Sequence, residues 1–96
     1  MNIEQELIKN RNAVIAIAAK HGARNPRIFG SVARGDAGPE SDVDLLVKMD
    51  EGRSLLDVSA LVIDLQELLG VKVDVVSEDG LYWLLRRRIL KEAMVL

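Results

Sequence analysis

The chain has 96 residues, enough for one hydrophobic core but too few for a catalytic lobe beside a substrate lobe, so we expect a single domain over residues 1–96. Its 49% apolar and 29% charged residues are ordinary for a globular protein, and a net charge of −2 argues against direct binding of nucleic acid through phosphate attraction. The absence of cysteine excludes disulfides and thiolate metal sites. Because the sequence shows no signal peptide and no apolar run of ~20 residues, we expect a cytoplasmic protein that does not span a membrane.

The first third of the chain predicts a helix, a short strand and a turn. Apolar residues recur at helical spacing from Ile3 to Lys20, and His21-Gly22 should end this helix because glycine readily takes the left-handed conformation. His21 is therefore interpreted as part of a helix end rather than as a base. Asn25-Pro26 marks a turn, and residues 27–29 then form a short strand. Small residues, glycine and proline over residues 31–41 predict a tight turn or short helix followed by a loop.

The rest of the chain alternates strands and helices. Residues 42–49 predict a strand, Ser54 caps a helix that runs to Leu69 and is closed by Gly70, residues 71–76 predict a third strand, and residues 81–93 predict a helix with a frayed or strand-like end. The order helix-strand-strand-helix-strand-helix predicts an α+β fold, a small mixed β-sheet flanked by helices. The helical connection between the second and third strands has the length of a right-handed parallel crossover.

Two carboxylates stand at the start of the second predicted strand. Asp42 and Asp44 are two residues apart, so their side chains leave the same face and repel each other unless a positive group lies between them. The following run Leu45-Leu46-Val47 is apolar on both faces, which predicts a central strand with the aspartates at its rim. The competing interpretation of the pair is a solvated strand start beside a loop.

A third carboxylate, Asp74, interrupts the valine-rich third strand. A buried lone carboxylate needs a partner, a proton or a metal, whereas an edge-strand aspartate simply faces water. If the second and third strands are neighbours, Asp74 joins Asp42 and Asp44 around one point. Carboxylates without histidine or cysteine form a hard oxygen site suited to magnesium or manganese. Two such ions ~3.5–4 Å apart clamp the attacking and leaving oxygens of an in-line displacement.

The turn at Gly30-Ser31 is a candidate phosphate cradle. Gly30 lets the backbone approach phosphate oxygens closely, and Ser31 offers a hydroxyl and an amide donor. If Ser31 opens a short helix, its amides also favour an anion. Arg34 either contacts a triphosphate or forms a surface ion pair with Asp36 or Glu40.

Together, three segments resemble the minimal nucleotidyltransferases of the DNA polymerase β-like nucleotidyltransferase superfamily. These segments are Gly30-Ser31-Val32-Ala33-Arg34-Gly35, then Ser41-Asp42-Val43-Asp44-Leu45-Leu46-Val47, then Asp74. The pattern is a Gly-Ser turn, a short gap, an Asp-x-Asp pair and a distal Asp on a later strand. It covers nearly the whole chain without a departure in its core, and it implies a polymerase β-like nucleotidyltransferase fold.

The resemblance assigns roles to the matching residues. It implies that Asp42 and Asp44 bind two magnesium ions, that Asp74 completes the catalytic metal site and helps activate the acceptor hydroxyl, and that Gly30 and Ser31 hold the β- and γ-phosphates of ATP. Such proteins resemble the antitoxin halves of toxin–antitoxin modules whose partner is a HEPN-domain ribonuclease. The implied activity is transfer of AMP from ATP to a tyrosine of that toxin, within a hetero-oligomer.

Other functions stay open at this point. An antitoxin that neutralises its partner by masking it would need no catalysis, and nucleotide transfer to a small molecule would need a second domain or a second copy. A haloacid dehalogenase-type phosphatase places its Asp-x-Asp after an apolar strand rather than before it, and both it and an Asp-x-Asp sugar transferase require a longer chain. Second apolar stripes, at Ile8 and Ile15 and on the last helix, either offer a protein contact or are buried on two sides.

Overall fold

The first predicted helix is two helices. In the computed structural model, which describes residues 3–36, 38, 42–80 and 83–96, α1 spans Ile3–Lys9 and α2 spans Arg11–Lys20. Asn10 separates them with φ −98° and ψ 12°, and both its side-chain amide, at 2.8 Å, and its backbone amide, at 3.0 Å, donate hydrogen bonds to the Glu6 carbonyl. The prediction of one continuous helix is therefore wrong at Asn10, while the predicted end at His21 is confirmed.

The first strand begins earlier than predicted and contains the predicted turn. β1 spans Ala23–Phe29 and pairs antiparallel with β2, which spans Val43–Met49. Its register shifts between Arg24 and Arg27, and Asn25 has φ +53°. Proline lacks an N–H for the ladder and asparagine tolerates the left-handed region, so Asn25-Pro26 forms an irregularity within the strand rather than a turn before it.

The remaining elements follow the predicted order, with a 3₁₀ helix added after the third strand. They are α3 at Gly30–Arg34, α4 at Leu55–Leu69, β3 at Val73–Ser77, a 3₁₀ helix at Glu78–Gly80, α5 at Trp83–Glu92 and β4 at Met94–Val95. The cap of α4 at Ser54 and its end at Gly70 are confirmed. The start of the last predicted helix, residues 81 and 82, lies outside the described residues.

The strands form one mixed sheet. Within the described residues its order is β3-β2-β1-β4, with β2 and β3 parallel and the other two pairs antiparallel. The predicted α+β class and the central position of β2 are confirmed. Of the two alternatives predicted for the end of the last helix, frayed or strand-like, the structure has the strand, β4, just past the predicted bound at residue 93. It adds to the free side of β1 through the pairs Arg27–Val95 and Ile28–Met94.

One face of the sheet carries the core. Side chains alternate along a strand, so the odd-numbered residues of β2 and β3 all point towards the helices. The buried cluster combines these residues with apolar side chains of α1, α2 and α4: Leu7, Val14, Ala18, Val43, Leu45, Val47, Leu61, Leu65, Leu69, Val73 and Val75. His21 Nε2 lies 2.6 Å from Asp64 Oδ2 and ties the end of α2 to α4. Across the described ranges, no helix is both long and apolar enough to cross a membrane.

Candidate active site

The predicted site residues meet at one end of the sheet, where β1 stops and β2 and β3 start. Phe29 is the partner of Asp44 in the antiparallel pair, and Asp44 is the partner of Asp74 in the parallel pair. Directly paired residues share a face, and this face is opposite to the one that packs on the helices. The register therefore places the Asp44 and Asp74 carboxylates side by side, away from the core.

The surroundings of the carboxylates differ from the predicted ones in one respect. Asp42 and Asp44 are half-buried at the rim of the central strand, whereas Asp74 is exposed. The interpretation of Asp74 as a buried acid is wrong, because β3 is an edge strand and Val73 and Val75 turn inward while Asp74 turns outward. Sheet order decides this exposure, and the sequence of β3 does not contain it.

The acidic residues influence each other strongly at Asp44. Burial raises the pKa of the Asp44 carboxyl above its ordinary value, and the negative charges of Asp74 and Asp42 raise it further. Arg34 acts in the opposite direction on the same pKa, and Glu92 adds to the increase. Since a raised carboxyl pKa means that the charged form is disfavoured, the site has an unmet demand for positive charge.

A divalent cation would meet that demand. The donors are carboxylate oxygens alone, which suits magnesium or manganese in ligand type. In the described part of the chain, however, no group of three His, Cys, Asp or Glu side chains is already arranged around one metal position. The fold thus brings Asp44 beside Asp74 and places Asp42 within electrostatic reach, and the remaining ligands of a cation would be water or phosphate oxygens.

Gly30 lies against Asp44 in the cluster of Asp42, Asp44 and Asp74, which we call the acidic wall. It has φ +74°, a backbone conformation that favours glycine, and a Cβ at this position would collide with the Asp44 Oδ2. Gly30 also opens α3, so Ser31 lies in the first turn of a short helix, as one branch of the prediction had it. The local sequence folds this way because glycine at both Gly30 and Gly35 permits the left-handed conformations that start and end the five-residue α3.

Arg34 adopts the ion-pair alternative with one predicted and one unpredicted partner. Its Nε donates to Asp36 at 3.2 Å, and its Nη1 donates to Glu92 at 2.8 Å. These hydrogen bonds raise the Arg34 pKa further, and the bond from Arg34 is also the main cause that lowers the pKa of Glu92. Glu40, the other predicted partner, lies outside the described residues.

Glu92 is the site residue that sequence reasoning missed. Its carboxylate accepts the Arg34 bond, the Gly30 backbone amide also lowers its pKa, and it contributes to the raised pKa of Asp44. The contact with Arg34 joins positions 58 residues apart, and Glu92 stands in a helix dominated by arginine and leucine. No spacing pattern in the sequence could have identified it.

Another buried charge lies on the same sheet face, farther from the carboxylates. Arg27 is 9% exposed and donates to the Glu78 carboxylate at 3.1 Å and to the Asn25 carbonyl at 3.0 Å. Its partner on β2 is Leu46, which is fully buried. These contacts hold the 3₁₀ helix against β1 and explain why the apolar run of β2 is covered on both faces.

An acidic wall facing a glycine turn and an arginine can bind a polyphosphate together with divalent cations. The carboxylates supply cation ligands, and the turn and guanidinium supply donors for phosphate oxygens. Such an arrangement can position a triphosphate for in-line attack by an external nucleophile, since transfer of this kind depends mainly on positioning and charge neutralisation.

Comparison with known sequences finds consistent relatives. The sequence profile of the nucleotidyltransferase domain family matches residues 20–96. A Methanocaldococcus jannaschii protein assigned as a protein adenylyltransferase is 45% identical over 94 residues, which cover 98% of this chain and 97% of the relative. Protein adenylyltransferase MntA of Thermococcus cleftensis is 39% identical over 75 residues, which cover 78% of this chain and 76% of the relative.

Comparison with solved structures finds the same fold. A protein assigned as a minimal nucleotidyltransferase superposes with a TM-score of 0.89 at 52% identity, covering 100% of this chain and 97% of that chain. A toxin–antitoxin crystal structure with AMP-PNP superposes with a TM-score of 0.78 at 20% identity, covering 90% of this chain and 71% of that chain. At that identity the second likeness concerns the fold alone.

Proposed function

Because this chain belongs to the nucleotidyltransferase domain family, we propose that it is a magnesium-dependent protein adenylyltransferase that acts as an antitoxin. The nucleotidyltransferase activity follows from the family. The finer proposal is that ATP donates AMP to a tyrosine hydroxyl of a partner HEPN-domain toxin, and that the two proteins form a hetero-oligomer.

The observation that carries the proposal is the position of Asp44. It lies between the paired Asp74 on one side and the turn at Gly30 on the other, where even a methyl group on the turn would strike its carboxylate. The acids and the candidate phosphate cradle therefore belong to one site. A solvated strand start, the competing interpretation of the Asp-x-Asp pair, gives no reason for this close approach.

In the proposed reaction the acceptor oxygen attacks the α-phosphorus of ATP, the bond to the β-phosphate breaks, and pyrophosphate leaves. Divalent cations held by Asp42, Asp44 and Asp74 would neutralise the phosphate charge and orient the reacting oxygens. Asp74, which is exposed beside Asp44, would help activate the acceptor hydroxyl by accepting its proton. Gly30, Ser31 and Arg34 would hold the β- and γ-phosphates.

Two features support a protein acceptor. MntA of Thermococcus cleftensis is a protein adenylyltransferase, and a structure of the same fold is a toxin–antitoxin complex with AMP-PNP. In addition, a cavity of about 360 Å³ lies beside α3, and its lining combines apolar residues such as Ile8, Met94 and Val95 with the charged Glu4, Arg11 and Arg34. Ile8, Met94 and Val95 are exposed there, as expected for a surface that contacts another protein.

The test is transfer of label from α-labelled ATP in the presence of magnesium, with and without the protein encoded beside this one. Asp42→Asn together with Asp44→Asn removes the charges at nearly constant shape. Asp50→Asn is the matched control, because it removes an aspartate that follows the opposite end of β2 and pairs with Arg24, away from the site. We expect label on the neighbour with wild type and with the control, and none with the double variant.

Two further versions of this experiment test the metal requirement and which part of ATP is transferred. Chelation of the metal should abolish transfer and manganese should restore it, and γ-labelled ATP should leave the neighbour unlabelled. No label in any arm, together with a complex that the double variant forms equally well, would replace the catalytic proposal with a masking antitoxin. Label on a small molecule instead of the protein would overturn the proposed acceptor.

A further inference from the structure

We propose that Glu92 is a positioning residue that holds the phosphate-binding turn and Arg34 in the arrangement that receives the triphosphate; this rests on the proposed function. Glu92 would not touch the reacting atoms. It would act through the guanidinium of Arg34, which donates a hydrogen bond to it at 2.8 Å at the end of α3.

The contacts of Glu92 span the whole of α3. Gly30 is the first residue of this helix and Arg34 is the last. The Glu92 carboxylate accepts a hydrogen bond from Arg34 at 2.8 Å, and the backbone amide of Gly30 lowers the pKa of the same carboxylate. A helix of five residues is too short to be stable by itself, because nucleation costs more than its few hydrogen bonds return. The shape of the turn must therefore be fixed by contacts from outside, and Glu92 supplies a charge-assisted one through Arg34.

The other side of the turn is fixed by the acidic wall. Gly30 packs directly on the Asp44 side chain, so Asp44 and Glu92 hold the turn from β2 and from α5. The Glu92 side chain is 20% exposed, while Arg34 is 46% exposed. Arg34 is thus the more exposed partner, and its position matters because a displacement of about 1 Å in a binding group can cost ~100-fold in rate.

The backbone around Glu92 is itself anchored. α5 ends at Glu92, the next amide, that of Ala93, bonds the Ile89 carbonyl at 2.9 Å, and β4 then pairs with β1 at Met94. Because the backbone is held on both sides of Glu92, its carboxylate is suited to supporting the turn. A carboxylate that merely occupied the phosphate position would have to leave when ATP binds, and its removal would strengthen ATP binding instead of weakening it.

The experiment compares the affinities of the full chain for Mg·ATP and for AMP by calorimetry. Glu92→Gln should weaken ATP binding about tenfold, the loss typical of a charge-assisted contact, and leave AMP binding within about twofold. The ratio of the two affinities therefore falls, which a general loss of structure would not produce. Asp50→Asn, which breaks an ion pair elsewhere, should leave the ratio unchanged.

Coupling to Arg34 provides a second measurement. Arg34→Gln should weaken ATP binding in the wild-type background and weaken it less in the Glu92→Gln background, because the two residues act as a unit. If Glu92→Gln does not fold, the ratio is measured in Glu92→Asp, which keeps the charge but has a shorter reach, and it should fall there as well.

The outcomes separate the two proposals. A wild-type chain that binds no ATP overturns the proposed function and this inference together. A wild-type chain that binds ATP, with a Glu92→Gln variant that binds it equally or more tightly, overturns the positioning role alone. Equal losses for ATP and AMP also overturn it, because they would indicate a structural role.

Discussion

Asp44 shows at the residue scale how a binding site costs stability. Its pKa is raised by burial and by Asp74 and Asp42, so the folded protein binds this proton more tightly than the unfolded chain does. The stability contributed by the carboxyl is consequently greatest at low pH and decreases as the pH rises from the ordinary pKa of 3.8 through the raised value.

We therefore expect Asp44→Asn to raise the melting temperature of the metal-free protein at neutral pH by a few degrees. The difference from wild type should disappear at about pH 3, where the carboxyl is protonated in both states. Magnesium should raise the melting temperature of wild type and have a smaller effect on the variant. Circular dichroism melts with a chelator and with magnesium measure all of this, and a variant less stable than wild type at neutral pH would contradict it.

Two glycines with similar backbone angles allow close approach and backbone strain to be separated. Gly30 and Gly35 have φ of +74° and +79°. A Cβ added at Gly30 would meet the Asp44 side chain, whereas a Cβ added at Gly35 would meet nothing within 4 Å. Gly35→Ala should cost about 1 kcal/mol, for the backbone alone, and keep ATP binding. Gly30→Ala should cost more and lose ATP binding. Urea denaturation and calorimetry measure both, and equal behaviour of the two variants would contradict the close approach.

At the scale of elements, α4 is defined by its own ends. The Ser54 hydroxyl accepts from the Leu56 amide at 3.2 Å, and the Asp57 carboxylate accepts from the Ser54 amide at 2.9 Å. Ser54→Ala should lower the free energy of unfolding by about 1 kcal/mol, as the loss of a helix cap does. Ser59→Ala, an exposed position within the same helix, is the control and should not destabilise. Urea denaturation of the two variants decides whether the cap contributes.

Elements whose ends are marked locally were predictable, and those set by distant contacts were not. The bounds of α4 follow from Ser54 and Gly70, which are visible in the sequence, and the confirmed central position of β2 follows from its apolar run. The break at Asn10 lies within an unbroken apolar stripe, and the pairing of β4 depends on the free side of β1. Neither has a periodic signature.

The candidate site divides in the same way. Its acids, glycine and serine were predictable as residue types because their chemistry and spacing are local. The exposure of Asp74 was not, since it depends on β3 being at the edge of the sheet. Glu92 was not either, because its relation to Arg34 exists only after α5 has packed beside α3. The roles of all these residues in nucleotide transfer stay predictions.

At the scale of the whole molecule, one core joins the helices to a single face of the sheet. Leu65 is 0% exposed in this core, while Leu55, in the same helix, is 83% exposed. Leu65→Ala should cost ~2–5 kcal/mol, because it removes buried apolar surface and leaves a cavity. Leu55→Ala should change the free energy of unfolding by less than ~0.5 kcal/mol. Urea denaturation measures both free energies of unfolding. Comparable losses in the two variants would contradict the assignment of Leu65 to the core and of Leu55 to the surface.

The parallel pairing of β2 with β3 also sets when the site is completed as the chain is made. Asp42 and Asp44 emerge from the ribosome first, and the whole of α4 must follow before Asp74 can take its place beside them. Pairing across such a separation forms late, because loop closure must precede the contacts that stabilise it. A nascent chain that has reached only Gly70 therefore carries the first two acids without the third. The proposed function requires all three acids, so such an incomplete chain would not transfer nucleotides to other proteins before it has folded.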